Sequence, residues 1–306
     1  MIKKKVFLSI ILLLTTFFSI ILYNMPLSLN VGSSKKLLSN KMKATTKTEN
    51  KVDIDEVILN EYFSNLETAI SSNIAQYGDN VGLTFYDIKT KRTISFNGDK
   101  TFVAASTSKV PLNMLLLNKV ANGEIKKDTT VKYSDNDYEG GAGILQSKDL
   151  SSPIDIFTLS KYSIIYSDNI ATKMISNLMG GKNIVFKQYD NILGYEADHT
   201  DNAITSNDAA QYLKVLYYNK DNNPYYDTLI NNMKNTMYHD RIDKYIDQSL
   251  VAHKIGDYES YVNDIAIIYA NAPYILTIYT KNVTDSKEVI AKTSQVIFDF
   301  QNNREF

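Results

Sequence analysis

The sequence contains no cysteine, and neither sign of charge is in excess. Without cysteine a protein has no disulfide, no thiolate nucleophile and no cysteine-ligated metal, so nucleophilic chemistry here needs a hydroxyl group. Lys and Arg total 33 against 34 Asp and Glu, which leaves no basic excess of the kind that binds nucleic acid. Hydrophobic residues make up 44% of the 306 residues, enough for a large core. The composition therefore predicts a folded protein that does not bind nucleic acid.

The first residues have the pattern of an export or anchor segment. Three lysines, Lys3–Lys5, precede an uncharged run from Val6 to about Tyr23, close to the minimum length that spans a bilayer. The positive charges are expected to stay in the cytoplasm, which places the rest of the chain outside it. We predict a membrane anchor, or alternatively a cleaved signal peptide, at residues 1–27, a polar tether at 28–52, and one monomeric domain at 53–306.

Apolar periodicity after the tether predicts strands near both ends of the domain and helices between them. The predicted elements are a helix from Ile54 that ends near Gly78, strands at Val81–Ile88, Thr93–Phe96, Tyr261–Tyr269 and Tyr274–Thr280, a helix over Asp208–Leu216, and a last helix capped by Asp285 with Glu288. The predicted fold class is therefore α/β (α+β), with one sheet built from both ends of the domain.

Ser106 and Lys109 form a Ser-x-x-Lys box at the start of an apolar helical stretch. Residues three apart share a helix face, so the Lys109 amine is expected beside the Ser106 hydroxyl. A desolvated lysine with a lowered pKa can accept the serine proton, which makes the serine a nucleophile. A second box at Ser33 and Lys36 shows that the pattern alone is weak, and taken by itself Ser106 is more simply interpreted as a helix-capping serine.

Ser167–Asn169 reads Ser-Asp-Asn within the predicted helical context of Tyr162–Met179. A hydroxyl and an amide at this spacing can relay a proton and hold a substrate amide. The same letters occur at Ser134–Asn136, but in a predicted loop and much nearer to Ser106, so we favour Ser167. Either triplet alone is also a common capping or turn motif.

Lys254–Gly256 opens the β-rich C-terminal section. A Lys-x-Gly triplet at the start of a strand can direct an ammonium group into a cleft, while the glycine permits close approach of a substrate. The alternative interpretation is a solvated lysine at a strand edge, which would be preferred if the triplet stood alone.

In this order the three motifs resemble those of the class A β-lactamases and the related penicillin-binding D,D-peptidases. The resemblance covers roughly residues 54–300 and includes the segments Val103–Pro111, Tyr138–Gly143 and Asn263–Tyr269. It implies the β-lactamase and transpeptidase fold, in which helices flank an antiparallel sheet and an all-helical subdomain is attached. It also implies serine acyl transfer on β-lactams or on D-Ala-D-Ala peptides of peptidoglycan.

The resemblance further implies a role for each motif residue. The implied catalytic residues are Ser106 as the acylated nucleophile, Lys109 as its base, Ser167 as a proton shuttle and Lys254 as the anchor of the substrate carboxylate. The implied binding groups are Asn169 for the substrate amide, Gly256 beside the substrate, and the backbone N–H groups of Ser106 and Asp257 as the oxyanion hole.

Two departures from the family pattern bear on turnover. Class A enzymes carry a Glu-x-x-Leu-Asn loop whose glutamate activates the deacylating water, and residues 194–207 lack this motif. The local carboxylates Glu196, Asp198 and Asp201 are interpreted as solvated loop charges. Ile255 stands where a hydroxyl normally helps to bind the substrate carboxylate. Arg241 is a candidate to replace that contact, although a surface arginine is equally consistent with the sequence.

These departures predict an enzyme that is acylated readily and deacylates slowly, as a weak β-lactamase or a D,D-peptidase. A β-lactamase with true turnover, a β-lactam sensor that stays acylated and an inactive structural relative are the alternatives. We predict no metal, because His199, His239 and His253 show no paired ligand spacing, and no cofactor. His253 is interpreted as structural.

Overall fold

The computed structural model describes residues 54–305. The predicted anchor at 1–27 and the tether at 28–52 lie outside the described residues, and the helices within 54–305 include none that is long and apolar enough to cross a membrane. The chain divides into two compact units, and the boundary lies between Tyr62 and Phe63. The sheet, the helical section and the site described below all belong to the unit that begins at Phe63, and the predicted boundary at residue 53 stays a prediction.

The described residues form eight α-helices and nine strands. In chain order these are α1 (Ile54–Ile74), β1 (Val81–Asp87), β2 (Thr93–Phe96), β3 (Phe102–Val103), α2 (Lys109–Ala121), β4 (Thr130–Val131), β5 (Ile154–Asp155), α3 (Ile156–Ile165), α4 (Asn169–Leu178), α5 (Lys182–Leu193), β6 (Ala203–Ile204), α6 (Ser206–Tyr218), α7 (Tyr226–Lys234), β7 (Val251–Tyr258), β8 (Tyr261–Ile268), β9 (Tyr274–Lys281) and α8 (Ser286–Asn302).

The main sheet joins strands from the two ends of the domain. Its order is β2-β1-β9-β8-β7, and every neighbouring pair is antiparallel. Every residue of β1 and nearly every residue of β9 is buried, because both faces of these central strands are covered. The predicted hairpin, the two predicted C-terminal strands and the α/β (α+β) class with a sheet from both ends are confirmed.

Helices α2 to α7 form the section between β2 and β7. Helix α2 is buried over most of its length, including the consecutive residues Val110 to Leu117, and therefore runs through the centre of this section. Helix α6 joins the section to the sheet, because the Ser206 hydroxyl pairs with the Thr84 hydroxyl at 2.8 Å and the Ser206 carbonyl accepts from Thr277 at 2.8 Å. The helix predicted over Asp208–Leu216 is confirmed as α6, which begins two residues earlier at Ser206, behind a capping box between Thr205 and Asp208.

Three local predictions are wrong. The helical stretch Tyr162–Met179 is broken between α3 and α4, where Ser167 has a φ of 51°. The third motif does not open a strand, since β7 begins at Val251 and places Lys254 in its interior. Asp285 makes no side-chain cap to α8, because its own backbone is left-handed with a φ of 53°, and Glu288 accepts hydrogen bonds from Lys244 and Tyr245 instead.

A buried carboxylate joins the hairpin turn to the end of α8. Asp87, the last residue of β1, is fully buried. It accepts hydrogen bonds from Gln301 Nε2 at 2.8 Å and from the Thr90 backbone at 2.6 Å, and it forms an ion pair with Arg304, whose side chain is 1% exposed. Buried ions need such partners, so the two chain segments depend on each other here.

We expect Asp87→Ala to lower the free energy of unfolding by about 3–5 kcal/mol, because it breaks a buried ion pair by removing one of its two members. Asp149→Ala is the matched control: Asp149 is exposed and bonds only within its own turn to Ser151, so its loss should cost about 0.5 kcal/mol or less. Urea denaturation measures both values. Equal losses in the two variants would contradict this account of Asp87.

Candidate active site

Ser106 lies in a tight 3-10 turn, Ala105–Ser108, that leads directly into α2. We call residues Ala104–Ser108 the nucleophile turn. Ala105 has a φ of 50°, a left-handed conformation that is strained for alanine. The turn is held by Thr107, whose hydroxyl donates to the Ala104 carbonyl at 2.8 Å and pairs with the Tyr279 hydroxyl of β9 at 2.9 Å. The surrounding structure thus fixes the backbone that presents Ser106.

Strands β7 and β8 press against the nucleophile turn from the sheet side. A Cβ atom at Gly256 would lie 2.6 Å from the Ala104 carbonyl oxygen and 3.2 Å from the Ser106 nitrogen, so only glycine fits. Asn263 of β8 donates to the Val103 carbonyl at 2.9 Å. These contacts bring β7, which carries the Asp257 N–H group of the predicted oxyanion hole, directly against the backbone of Ser106.

The Lys109 amine points at the Ser-Asp-Asn motif. It donates to the Ser167 carbonyl at 2.6 Å, to Asn169 Oδ1 at 2.7 Å and to Ser167 Oγ at 3.3 Å. Lys109 is 4% exposed, so these acceptors take the place of water. None of the hydrogen bonds recorded for residues 54–305 joins Lys109 Nζ to Ser106, which differs from the expected direct pair.

Lys254 approaches the same serine from β7. Its Nζ donates to Ser167 Oγ at 3.0 Å and to the Ile255 carbonyl at 2.9 Å, and it lies 5.9 Å from the centre of the Tyr238 ring. The side chain is fully buried, so the alternative of a solvated edge lysine is wrong although β7 is an edge strand. Ser167 Oγ therefore lies between the two lysine amines.

Asp168 holds the motif in place. Its carboxylate caps α4 by accepting from the Ala171 nitrogen at 2.9 Å, and it also accepts from the Ile144 and Leu145 nitrogens at 2.6 and 2.8 Å. Gly143 lies so close that a Cβ atom there would be 2.4 Å from the carboxylate. This close packing explains why the glycine-rich segment Tyr138–Gly143 accompanies the motif.

Asn169 is oriented by two contacts. Its Oδ1 accepts from Lys109, and its Nδ2 donates to the Gly140 carbonyl at 2.7 Å. The competing triplet at Ser134–Asn136 has a purely local role, because Ser134 caps a 3-10 turn through Asp137. The structure thus brings together Ser106, Lys109, Ser167, Asn169 and Lys254.

Burial changes the protonation of both lysines. Desolvation lowers the pKa of Lys109 to about 7, although the negative charges of Asp168 and Glu139 oppose the shift. Desolvation, followed by repulsion from Lys109, lowers the pKa of Lys254 well below its ordinary value. A lysine in water is protonated at neutral pH and is therefore a poor base. Lys109, with a pKa of about 7, is available as a neutral amine at that pH.

A sequence model of the β-lactamase enzyme family matches residues 65–301. The chain belongs to this family. β-Lactamase ROB-1 from Haemophilus influenzae is 28% identical over 124 residues, which is 40% of this chain and 38% of that protein, and ROB-1 from Mannheimia haemolytica matches to the same extent. The match therefore covers well under half the length of these relatives.

Solved structures of similar proteins confirm the β-lactamase and transpeptidase fold. PBP-A is 22% identical with a TM-score of 0.70, over 77% of this chain and 95% of that chain. A reconstructed ancestral class A β-lactamase is 20% identical with a TM-score of 0.69, over 76% and 99%. A β-lactamase from Sphaerobacter thermophilus is 22% identical with a TM-score of 0.67, over 76% and 95%.

Arg241 of this β-lactamase family member is buried, with 1% of its surface exposed, so a surface arginine is the wrong interpretation. Its Nη2 donates to both carboxylate oxygens of Asp257 at 2.8 and 3.0 Å, its Nε donates to Asp240 at 2.9 Å, and its Nη1 donates to the Asn263 carbonyl at 3.0 Å. A substrate carboxylate would have to compete with Asp257 for the guanidinium. The predicted substrate contact of Arg241 stays a prediction.

The segment 194–207 packs on the nucleophile turn through Asn202, which the sequence analysis missed. Asn202 Nδ2 donates to the Ala105 carbonyl at 3.1 Å, and the Asn202 carbonyl accepts from the Ala104 nitrogen at 2.8 Å. Its φ of 65° is a conformation that asparagine tolerates better than most residues. No sequence pattern marks this contact. The carboxylates of the segment, Glu196, Asp198 and Asp201, are all exposed.

We expect the rate at which a β-lactam acylates the protein to rise with pH through about 7 and then level off. The reason is that neutral Lys109 is the expected base, and its neutral form predominates above the pKa of about 7. Stopped-flow acylation at a series of pH values measures this profile. Lys109→Arg, which keeps a cation that cannot deprotonate, should lose about a hundredfold or more of the rate. A flat profile would contradict the assignment.

Proposed function

We propose that this serine hydrolase forms an acyl-enzyme at Ser106 with β-lactams or D-Ala-D-Ala-type peptides and releases the acyl group slowly. The observation that carries the proposal is the arrangement of the two buried amines around Ser167. Lys109 Nζ and Lys254 Nζ lie 3.3 and 3.0 Å from Ser167 Oγ, next to the turn that presents Ser106. The proposed base and proton relay thus lie in one desolvated site beside the proposed nucleophile.

Acylation follows from these contacts. Ser106 Oγ bonds to the substrate carbonyl carbon while its proton passes to neutral Lys109, and the oxyanion receives hydrogen bonds from the Ser106 and Asp257 N–H groups. The carbon–nitrogen bond then breaks. The leaving nitrogen takes the proton of Ser167 Oγ, which regains one from the lysine amines that contact it. The net proton transfer is from Ser106 to the leaving nitrogen.

Substrate binding uses the groups on either side of this relay. Lys254 is the anchor for the substrate carboxylate, whose negative charge favours the protonated form of the amine. Asn169, whose amide is fixed by Lys109 and Gly140, faces the substrate amide. Ile255 is 5% exposed and has no hydroxyl to add a hydrogen bond to the carboxylate. Without this hydrogen bond, the site is expected to bind the substrate carboxylate with only modest affinity.

Slow release of the acyl group is expected because the carboxylates in the 194–207 segment are exposed and one of them is weakly basic. Glu196, Asp198 and Asp201 are exposed rather than enclosed beside Ser106. The Thr200 backbone N–H donates to Asp198 at 2.8 Å and holds the pKa of Asp198 below its ordinary value, which makes this carboxylate a weaker base. Efficient β-lactam turnover needs a base for the deacylating water. The same geometry supports a second candidate function, a D,D-peptidase or a β-lactam sensor in which the acyl group persists.

A fluorescent penicillin tests the acylation step. We expect covalent labelling of the protein, and we expect Ser106→Ala to abolish it because the nucleophile is removed. Ser108→Ala is the matched control: its hydroxyl donates to the Ala105 carbonyl at 2.9 Å in the same turn, and its loss should leave labelling within about tenfold of the parent. Labelling that survives Ser106→Ala would refute the proposal.

The lifetime of the label separates the candidate functions. We expect the label to persist and a chromogenic cephalosporin to be hydrolysed slowly, with deacylation unchanged in Glu196→Gln and Asp198→Asn. Rapid loss of label with matching hydrolysis would instead indicate true β-lactamase turnover. A large slowing in either variant would identify that carboxylate as the deacylating base. Release of D-Ala from a stem-peptide mimic distinguishes the peptidase from the sensor.

We also propose that the protein acts outside the cytoplasm as a membrane-attached monomer. The support is the sequence of residues 1–27, with its lysines before an apolar run, and the chemistry proposed for a cell-wall substrate. Protease treatment of intact cells should digest the catalytic domain. Resistance to protease in intact cells, with digestion after lysis, would contradict this location.

A further inference from the structure

Three potential metal ligands lie together outside the catalytic residues. His239, Asp243 and His253 each offer one ligand atom, and these atoms all lie within 4.8 Å of one another. His253 Nε2 is 3.2 Å from Asp243 Oδ2, and His239 Nδ1 contacts the same oxygen. Two imidazoles therefore converge on one carboxylate.

Buried polar atoms in this cluster lack the partners that such atoms normally have. His253 and Asp243 are 0% and 1% exposed, yet His253 Nε2 and Asp243 Oδ1 make no hydrogen bond with any described residue. The 3.2 Å approach of Nε2 to Asp243 does not have hydrogen-bond geometry. A buried donor or acceptor without a partner destabilises the folded protein, so the pair needs an additional group between or beside it.

The opposite side of the His253 ring is already oriented. Its Nδ1 bonds to the Asp264 carboxylate at 3.0 and 3.1 Å, which directs Nε2 toward Asp243. Asp264 is fully buried and also accepts from the Ile242 nitrogen at 3.1 Å. A carboxylate behind a histidine is the usual outer partner of a metal-bound imidazole, because it fixes the tautomer and the ring orientation.

We propose that His239, Asp243 and His253 bind a divalent transition-metal ion, with Zn²⁺ as the ion that suits them best. Two imidazole nitrogens and one carboxylate oxygen suit Zn²⁺ and similar ions, whereas Ca²⁺ and Mg²⁺ prefer oxygen ligands. Zinc bonds to nitrogen and oxygen are about 2.0–2.2 Å long, so ligand atoms within 4.8 Å of one another converge after small side-chain adjustments. His239 is 36% exposed and gives the ion access from solvent.

The site has a structural role because of its place in the fold. Successive side chains of a strand point to opposite faces, so the ion on His253 lies on the other face of β7 from Lys254. The ion ties the turn 239–243 to the middle of β7. Arg241, which lies in that turn and holds Asp257, is thereby fixed beside the catalytic strand. The proposal does not depend on acyl transfer at Ser106.

A protonated His253 between two carboxylates is the competing explanation. Burial disfavours the charged ring, but Asp264 and Asp243 outweigh burial and raise the pKa of His253 to about 10. A protonated His253 balances the negative charge of the two carboxylates. It does not supply a group that could bind both His239 and the unpartnered oxygen of Asp243. The two explanations differ in whether the protein binds a metal ion.

Titration of the chelator-treated protein with Co²⁺ and Zn²⁺ tests the site without an activity assay. We expect saturable binding of a single equivalent, a visible Co²⁺ spectrum of low-symmetry nitrogen and oxygen ligation, displacement of Co²⁺ by Zn²⁺, and a higher melting temperature with metal. Absence of saturable binding, or binding without any rise in melting temperature, would overturn the proposal.

Variants identify the ligands. His239→Ala removes an exposed side chain, so the protein should fold, yet metal affinity should fall by about a hundredfold or more. Asp264→Asn, which changes the partner behind His253, should reduce affinity by about 10–100-fold. His199→Ala is the matched control, because His199 pairs only with Asp190 at 2.8 Å, and affinity should not change. Unchanged affinity in His239→Ala, or an equal loss in His199→Ala, would also overturn the proposal.

Discussion

The chemistry proposed for this protein depends on the presence of two lysine side chains in one desolvated site. Lys109 and Lys254 reach Ser167 from opposite sides, one from the central helix and the other from the edge strand of the sheet. Two neighbouring ammonium groups without water repel each other, and burial disfavours both charges. The site therefore favours a state with fewer protons than two ordinary lysines would carry. In the proposed mechanism, that proton deficit makes the Ser106 hydroxyl reactive near neutral pH.

The fold maintains this arrangement by joining distant parts of the chain. Strand β7 comes from the C-terminal part of the domain and packs through Gly256 against the turn before α2. The Ser-Asp-Asn motif comes from the helical section and is fixed by Asp168 and the glycine-rich segment. Two of the three motifs thus belong to the helical section, and the third belongs to the sheet. The antiparallel sheet, with strands from both ends of the domain, brings these two parts into contact.

The sequence was sufficient to predict the sheet from both ends and the residues that converge in the site. Strand alternation predicted the hairpin, and the order of the three motifs favoured Ser106 over Ser33. The helical context of Ser167 and its greater distance from Ser106 favoured it over Ser134. The burial of Arg241 and the contact of Asn202 with the nucleophile turn could not be predicted, because both depend on residues far away in the sequence. The break at Ser167 was missed for a related reason: the left-handed conformation is imposed by tertiary contacts against the local helical preference.

Two backbone positions beside the catalytic groups are left-handed without being glycine. Ala105 precedes the nucleophile and Ser167 is the proposed proton relay, with φ values of 50° and 51°. Such conformations cost about 1–3 kcal/mol each and persist only where the surrounding structure enforces them. At these two residues the conformation that the proposed activity requires therefore lowers the stability of the fold. Substitutions that relax either residue are expected to appear among stabilised, less active variants, whereas substitutions that strengthen the distant core can compensate for the strain and preserve activity.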